Sequence, residues 1–137
     1  MYKRQEHAVE FFHGYTYSGH PMAVAAAHAT LDLLEEDGTF ARVRELEPVL
    51  EDAMHSLKGE PGVIDIRNSG LAAAIDLEPI PDKPGLRALK VFEEALRRGQ
   101  LPRFTGDTIA VGPPFISTPQ ELAKMADDLR HAIRSTR

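Results

Sequence analysis

The sequence predicts an α+β fold, a small and mostly antiparallel sheet covered by helices, and three observations predict it. Apolar residues recur at helical spacing in separate segments, β-branched and apolar runs flank Asn68-Ser69-Gly70, and glycine and proline punctuate the boundaries. A chain of 137 residues that is 42% hydrophobic and 27% charged can bury one core of its own.

The elements follow in order. Pro21 lacks an amide hydrogen and has a preset φ, so it reads as the first residue of a helix with His20 near its cap. The Ala-rich run 22–36 continues that helix, and its small side chains suit close packing against a further layer. Asp37-Gly38 stops it, and Thr39 is expected to cap a second helix. Phe40, Val43, Leu46, Leu50, Ala53 and Leu57 mark the buried face of that helix, while Pro48 predicts a bend or break near residues 45–47. Val63, Ile64 and Ile66, then the run 71–77, read as two strands of a hairpin around Asn68-Ser69-Gly70. Pro79, Pro81 and Pro84 stiffen the next connection, after which Leu86, Leu89, Phe92 and Leu96 predict a third helix ending at Gly99. One or two short strands fit between Leu101 and Val111, ended by Gly112-Pro113-Pro114. Thr118-Pro119-Gln120-Glu121 is a capping box with proline at the first helical position, and Leu122, Met125, Ala126, Leu129 and Ile133 form the buried stripe behind it.

Several function classes fall away. A net charge of −5 offers no basic footprint, so neither nucleic acid nor an anionic membrane surface is an expected partner. No stretch is long and apolar enough to span a bilayer. The absence of cysteine removes disulfides and thiolate chemistry and fits a cytoplasmic location. His7, His13, His20, His28, His55 and His131 match no compact ligand spacing, so no metal site is expected. Glu35-Glu36 and Glu93-Glu94 read as solvated helix faces.

One segment carries chemistry. His13-Gly14-Tyr15-Thr16-Tyr17-Ser18-Gly19-His20-Pro21 sets hydroxyls and glycines just before a helix start, where free amides and the helix dipole suit a phosphate or carboxylate. An ordinary capped loop explains the same residues without a ligand.

This string resembles the loop that follows the cofactor lysine in class III, fold-type I pyridoxal-phosphate aminotransferases, especially the ω-amino acid:pyruvate (β-alanine:pyruvate) branch. Val63-Ile64-Asp65-Ile66-Arg67-Asn68-Ser69-Gly70-Leu71-Ala72-Ala73-Ala74-Ile75 and Arg103-Phe104-Thr105-Gly106-Asp107-Thr108-Ile109, followed by Gly112-Pro113-Pro114, resemble later segments in the same order. The resemblance implies the C-terminal small domain of that fold and pyridoxal 5'-phosphate as cofactor. It implies an amino donor and pyruvate as substrates, and a homodimer with shared active sites. By the same resemblance Thr16 donates to the cofactor phosphate of the neighbouring subunit, with Tyr15 lining the pocket.

Arg103 is the residue the resemblance assigns to a substrate carboxylate, a task its planar fork suits. Ornithine-type members carry an arginine where this chain has Ala110, which argues against an ornithine-type substrate. Pro102 departs from the family pattern and is expected to restrict Arg103. Arg67 reads as a structural ion-pair or interface residue. The resemblance places the cofactor-bearing lysine upstream of this chain; Lys3, Lys58, Lys83, Lys90 and Lys124 do not match it. No catalytic residue is therefore expected within the chain, which reads as a C-terminal fragment inactive by itself.

Residues 1–5 are expected to be a non-native leader, 6–20 the cofactor-phosphate and dimer-interface loop, and 21–137 a connecting helix and the small domain. The competing expectation is a stand-alone, non-catalytic module of the same fold that binds an anion or a partner chain.

Overall fold

A computed structural model of the chain describes residues 14–136. The leader assigned to 1–5, the first part of the loop assigned to 6–20, and Lys3, His7 and His13 lie outside the described residues.

The described residues form α1 (Pro21–Glu36), α2 (Thr39–His55), β1 (Val63–Ser69), β2 (Ala72–Leu77), α3 (Leu86–Arg97), β3 (Arg103–Thr105), β4 (Thr108–Val111) and α4 (Pro119–Ser135). The strands make one sheet in the order β1-β2-β4-β3, every neighbouring pair antiparallel. The α+β expectation holds.

Both hairpins turn on glycine. Ser69 pairs with Ala72 and Thr105 with Thr108, leaving the two-residue loops Gly70-Leu71 and Gly106-Asp107. Gly70 (φ +54°) and Gly106 (φ +56°) take the positive φ that a type II′ turn demands at its first central position. Asn68 and Ser69, read from sequence as part of the turn, are the last residues of β1 instead.

One face of the sheet is packed under helices. Ile66 pairs with Ile75, Ile75 with Ile109 and Ile109 with Phe104, a cross-strand row against which α2 and α3 lie. α4 closes the core by packing on both of those helices. Its capping box is complete: Glu121 N–H donates to Thr118 Oγ1 at 3.2 Å, and Thr118 N–H donates back to Glu121 Oε2 at 2.8 Å. Every residue of its predicted stripe is buried.

Four expectations need correction. α2 continues through Pro48 without the expected break, and Pro48 and Arg44, whose carbonyl loses its amide partner, are both exposed, so that carbonyl is open to solvent. The residue that opens α2 is Gly38 in a left-handed conformation (φ +62°); Thr39 is the first helical residue, buried, and caps nothing. Phe40 is 51% exposed, and Met54 takes the buried place in the stripe. On α3 the buried residues are Ala88, Val91 and Ala95, while Leu96 is exposed. Small side chains win there because α3 and α4 pack directly on each other, and alanines allow the closer approach. α1 buries no residue, so the layer its composition asks for is not among the described residues.

Glu60, in the connection from α2 to β1, is buried and fastened to α4. Arg134 Nε donates to its Oε2 at 2.7 Å and Arg130 Nη1 to its Oε1 at 3.1 Å. The Arg134 hydrogen bond, against the opposing effect of burial, holds the carboxyl below its ordinary value of 4.5. A lowered folded-state pKa stabilises the fold above that ordinary value, and the contribution is lost as pH falls through the lower folded value. Glu60→Gln is therefore expected to cost about 1–3 kcal/mol at neutral pH in urea denaturation. The gap to wild type should narrow in acid; a gap independent of pH would contradict the ion-pair role.

Candidate functional site

Strand alternation divides the sheet chemically. With the isoleucine row facing the helices, the next positions face away: Arg67, Ala74, Ala110 and Arg103 form one open-face row, and Asp65, Asp76, Thr108 and Thr105 form another. The sheet thus carries its charge on the side the helices leave uncovered.

Arg103 opens β3, the edge strand, and its backbone is held from both sides. Pro102 before it is buried, a placement open to proline because an edge strand has amides to spare. Phe104 after it packs on Phe92 of α3 with ring centroids 5.1 Å apart. Between these anchors the Arg103 side chain is exposed, opposite Ala110. It meets no carboxylate within ion-pair distance among the described residues, whereas Arg67, Arg87, Arg97, Arg98, Arg130 and Arg134 each do. Ala110 is the direct cross-strand neighbour of Arg103.

Arg67 is a structural ion-pair residue, as its sequence context suggested. Its Nη1 donates to Asp76 Oδ2, and Asp76 Oδ1 accepts from the Thr108 hydroxyl at 2.6 Å. The Arg67 bond first and the Thr108 bond second hold the Asp76 carboxyl below the usual carboxylate range. Sequence reading missed Asp76, although alternation along Ala72-Ala73-Ala74-Ile75-Asp76-Leu77 sets it on the same face as Ala74.

Asp107 was also missed. Its Oδ2 accepts from Gly85 N–H at 2.7 Å at the start of α3, and its carbonyl accepts from Leu77 N–H at 2.8 Å at the end of β2. A Cβ on Gly85 would stand 3.4 Å from the Gly106 carbonyl oxygen, so the β3–β4 turn seats closely on the helix start. The turn that carries Arg103 is thereby tied to the core.

The loop before α1 is a second, separate element. Residues 14–20 are all exposed; Ser18 N–H donates to the Tyr15 carbonyl at 3.0 Å, and the His20 carbonyl accepts from Val24 N–H at 2.9 Å. No side chain caps α1, and Pro21 has no amide to offer. The amides of Met22 and Ala23 find no acceptor among the described residues, which leaves free donors at this helix start. This donor set fits a phosphate. The structure does not bring Thr16 to Arg103: no hydrogen bond joins them among the described residues, and α1 packs on α2 rather than on the sheet.

A cleft of about 440 Å³ lies between α4 and the ends of β3 and β4, lined mainly by apolar groups including Leu101, Pro102, Pro113, Ile116 and Met125. Among the described residues no group of three His, Asp or Glu side chains could hold a metal ion, and no helix is long and apolar enough to cross a membrane.

Comparison with known proteins gives a consistent picture. Residues 2–133 match the family Aminotransferase class-III. The chain is 48% identical over 125 residues to an omega-aminotransferase of Caulobacter vibrioides, covering 91% of this chain and 28% of the relative. It is 44% identical over 128 residues to a beta-alanine–pyruvate aminotransferase of Pseudomonas aeruginosa, covering 93% and 29%. A thermostable omega transaminase 6-fold mutant from Pseudomonas jessenii superposes with a TM-score of 0.83 at 28% identity, covering 93% of this chain and 30% of that one. The chain thus spans less than a third of the length of the curated relatives it matches.

Asp107→Ala should lower stability by about 1–3 kcal/mol in chemical denaturation, because it leaves the Gly85 amide without its acceptor. Asp107→Asn, which keeps a side-chain oxygen there, should recover much of that loss. Equal losses for both variants would contradict the acceptor role.

Proposed function

The chain belongs to the class-III aminotransferase family, and on that premise we propose that it supplies two binding elements of an enzyme moving an amino group to pyruvate from a β- or ω-amino acid or an amine. The observation that carries the reading is Arg103, an exposed guanidinium without an acidic partner among the described residues, on a strand anchored at both flanking residues. Its planar fork is suited to a substrate carboxylate through two parallel hydrogen bonds. The names of the similar proteins, an omega-aminotransferase and a beta-alanine–pyruvate aminotransferase, support this substrate class.

The second element is the loop at residues 14–20, proposed as the cofactor-phosphate and dimer-interface segment ahead of the connecting helix and small domain. Pyridoxal phosphate, when bound, would supply the carbonyl group that carries the amino group between donor and acceptor. Thr16 would donate its hydroxyl to the phosphate, the free amides at the α1 start would add donors, and Tyr15 would line the pocket. In the proposed homodimer Thr16 serves the neighbouring subunit's site, and its separation from Arg103 within one chain supports that arrangement. We place the enzyme in the cytoplasm.

Lys58, Lys83, Lys90 and Lys124 are not proposed to carry the cofactor. Lys124, for one, is committed to Asp128 on α4 at 2.5 Å. The 137 residues are proposed to be inactive alone, the cofactor-bearing lysine lying outside them.

Two measurements on the cofactor-loaded enzyme test the reading. Arg103→Ala should raise KM for pyruvate about 10- to 100-fold, the loss of a charge-assisted pair, while kcat/KM for an amine donor without a carboxylate stays within about threefold. Equal losses for both would sink the carboxylate role. Thr16→Val should weaken cofactor retention about tenfold in a dialysis assay, with Thr16→Ser close to wild type; no change in Thr16→Val would remove Thr16 from the phosphate site.

A further inference from the structure

The four strands carry two arginines, Arg67 on β1 and Arg103 on β3. They end one cross-strand row, Arg67–Ala74–Ala110–Arg103, on the open face. Three strand spacings put their Cα atoms roughly 14 Å apart. Two methyl-sized side chains lie between them, so the floor is low enough for a small extended molecule to lie along the row.

The two guanidinium groups stand in opposite states. Arg67 is taken up by Asp76, with Asp65 Oδ2 a further 4.0 Å from its Nη1. Asp76 is itself fixed by the Thr108 hydroxyl at 2.6 Å, which points its other oxygen at Arg67. Arg103 has neither kind of partner among the described residues. A molecule whose carboxylate lies on Arg103 and whose body follows the alanines would bring its far end to a satisfied cation and two carboxylates.

We propose that Asp76 determines substrate class at this face: by occupying Arg67 it leaves Arg103 as the free guanidinium of the described sheet, so that a 2-oxo monocarboxylate is accepted and a dicarboxylate is rejected. A second carboxylate finds no free donor fork at Arg67 and is repelled by Asp76 and Asp65, an exclusion by like charge rather than by shape. This inference rests on the reading of Arg103 as the residue that binds the substrate carboxylate. Arg67 and Asp76 are positioning residues in it, and neither enters the chemical step.

The test compares pyruvate with 2-oxoglutarate as amino acceptor in steady-state kinetics of the cofactor-loaded enzyme. Asp76→Asn should lower KM for 2-oxoglutarate about tenfold, the typical worth of one charge-assisted pair, and leave KM for pyruvate within about twofold. Asp65→Asn/Asp76→Asn should lower KM for 2-oxoglutarate further. Arg67→Gln/Asp76→Asn should return it to the wild-type value. An unchanged KM for 2-oxoglutarate in both acidic-residue variants, or a fall that persists without Arg67, overturns the proposal.

Arg67→Gln in the wild-type background keeps the question open to refutation should Asp76→Asn fold poorly. Because Arg67 is the counter-charge of Asp76 and Asp65, that variant should raise KM for 2-oxoglutarate and leave KM for pyruvate within about twofold, and a lowered KM for 2-oxoglutarate or a raised KM for pyruvate would overturn the proposal. Thr108→Val removes a bond to Asp76 without freeing Arg67 and should not alter the preference between acceptors; a switch toward 2-oxoglutarate there would also overturn it. If Arg103→Ala leaves KM for pyruvate unchanged, the carboxylate reading itself has failed. If Arg103→Ala raises it while Asp76→Asn changes nothing, only the role of Asp76 has failed.

Discussion

Ile66, Ile75 and Ile109 lie side by side on three adjacent strands, joined on the fourth by Phe104, and the helices rest on that row. Strand side chains alternate with a period of two, so burying this row dictates where every other strand residue points. Arg67, Asp76 and Arg103 must face away from the core. A slip of one residue would drive these charges beneath α2 and α3, at several kcal/mol for each charge left unpaired. The register that makes a core is the same register that displays the charged face.

Around that row, acidic side chains serve as fasteners. Glu60 holds Arg130 and Arg134 of α4, and Asp107 joins the β3–β4 turn to the start of α3. Asp128 takes Lys124 from its own helix and Gln100 from the segment after α3; burial is the largest single influence and opposes its ionised form, and these two bonds together with the charges of Lys124 and Arg98 outweigh it. Glu47 accepts from Gly70 N–H in the first hairpin turn, and His55 bonds Asn68 at 3.0 Å, so α2 grips the first hairpin at two points. Each fastener ties a loop or helix end to an element distant in sequence. Arg103 stands apart because it takes part in none of them.

Features set by neighbours in sequence were legible without coordinates. The α4 capping box, its buried stripe, the first hairpin and the helix start at Pro21 follow from local rules of capping, periodicity and turn chemistry. Features set by distant partners were not. The stripe on α3 was misread because large apolar residues look like the buried ones, whereas α4 lies close enough that Ala88 and Ala95 fill the contact. Pro48 reads as a break until the helix orientation shows that the orphaned carbonyl is on the solvent side. Arg67 was readable as an ion-pair residue, but its partner depends on hairpin register, and Asp76 emerged only when β1 and β2 were aligned. Arg103 came from resemblance, not from local chemistry, since no local rule separates it from other exposed arginines.

The loop at 14–20 and the sheet differ mechanically as much as chemically. α1 has 16 residues, about 24 Å of helix, and buries none of them, so its hold on the rest of the described chain is its contact with α2. The sheet, by contrast, presents Arg103 from a strand locked at Pro102 and Phe104. A site requiring Thr16 and Arg103 of one chain to act together would need a rigid link between these parts, and a helix without buried residues is a poor one. Under the proposed shared site that demand disappears: the loop is positioned by the neighbouring subunit against which it docks, and the arginine by its own core. The exposed apolar residues of α1, Met22, Val24, Leu31 and Leu33 among them, then have a physical use, because docking them would rigidify the element that its own chain leaves loose.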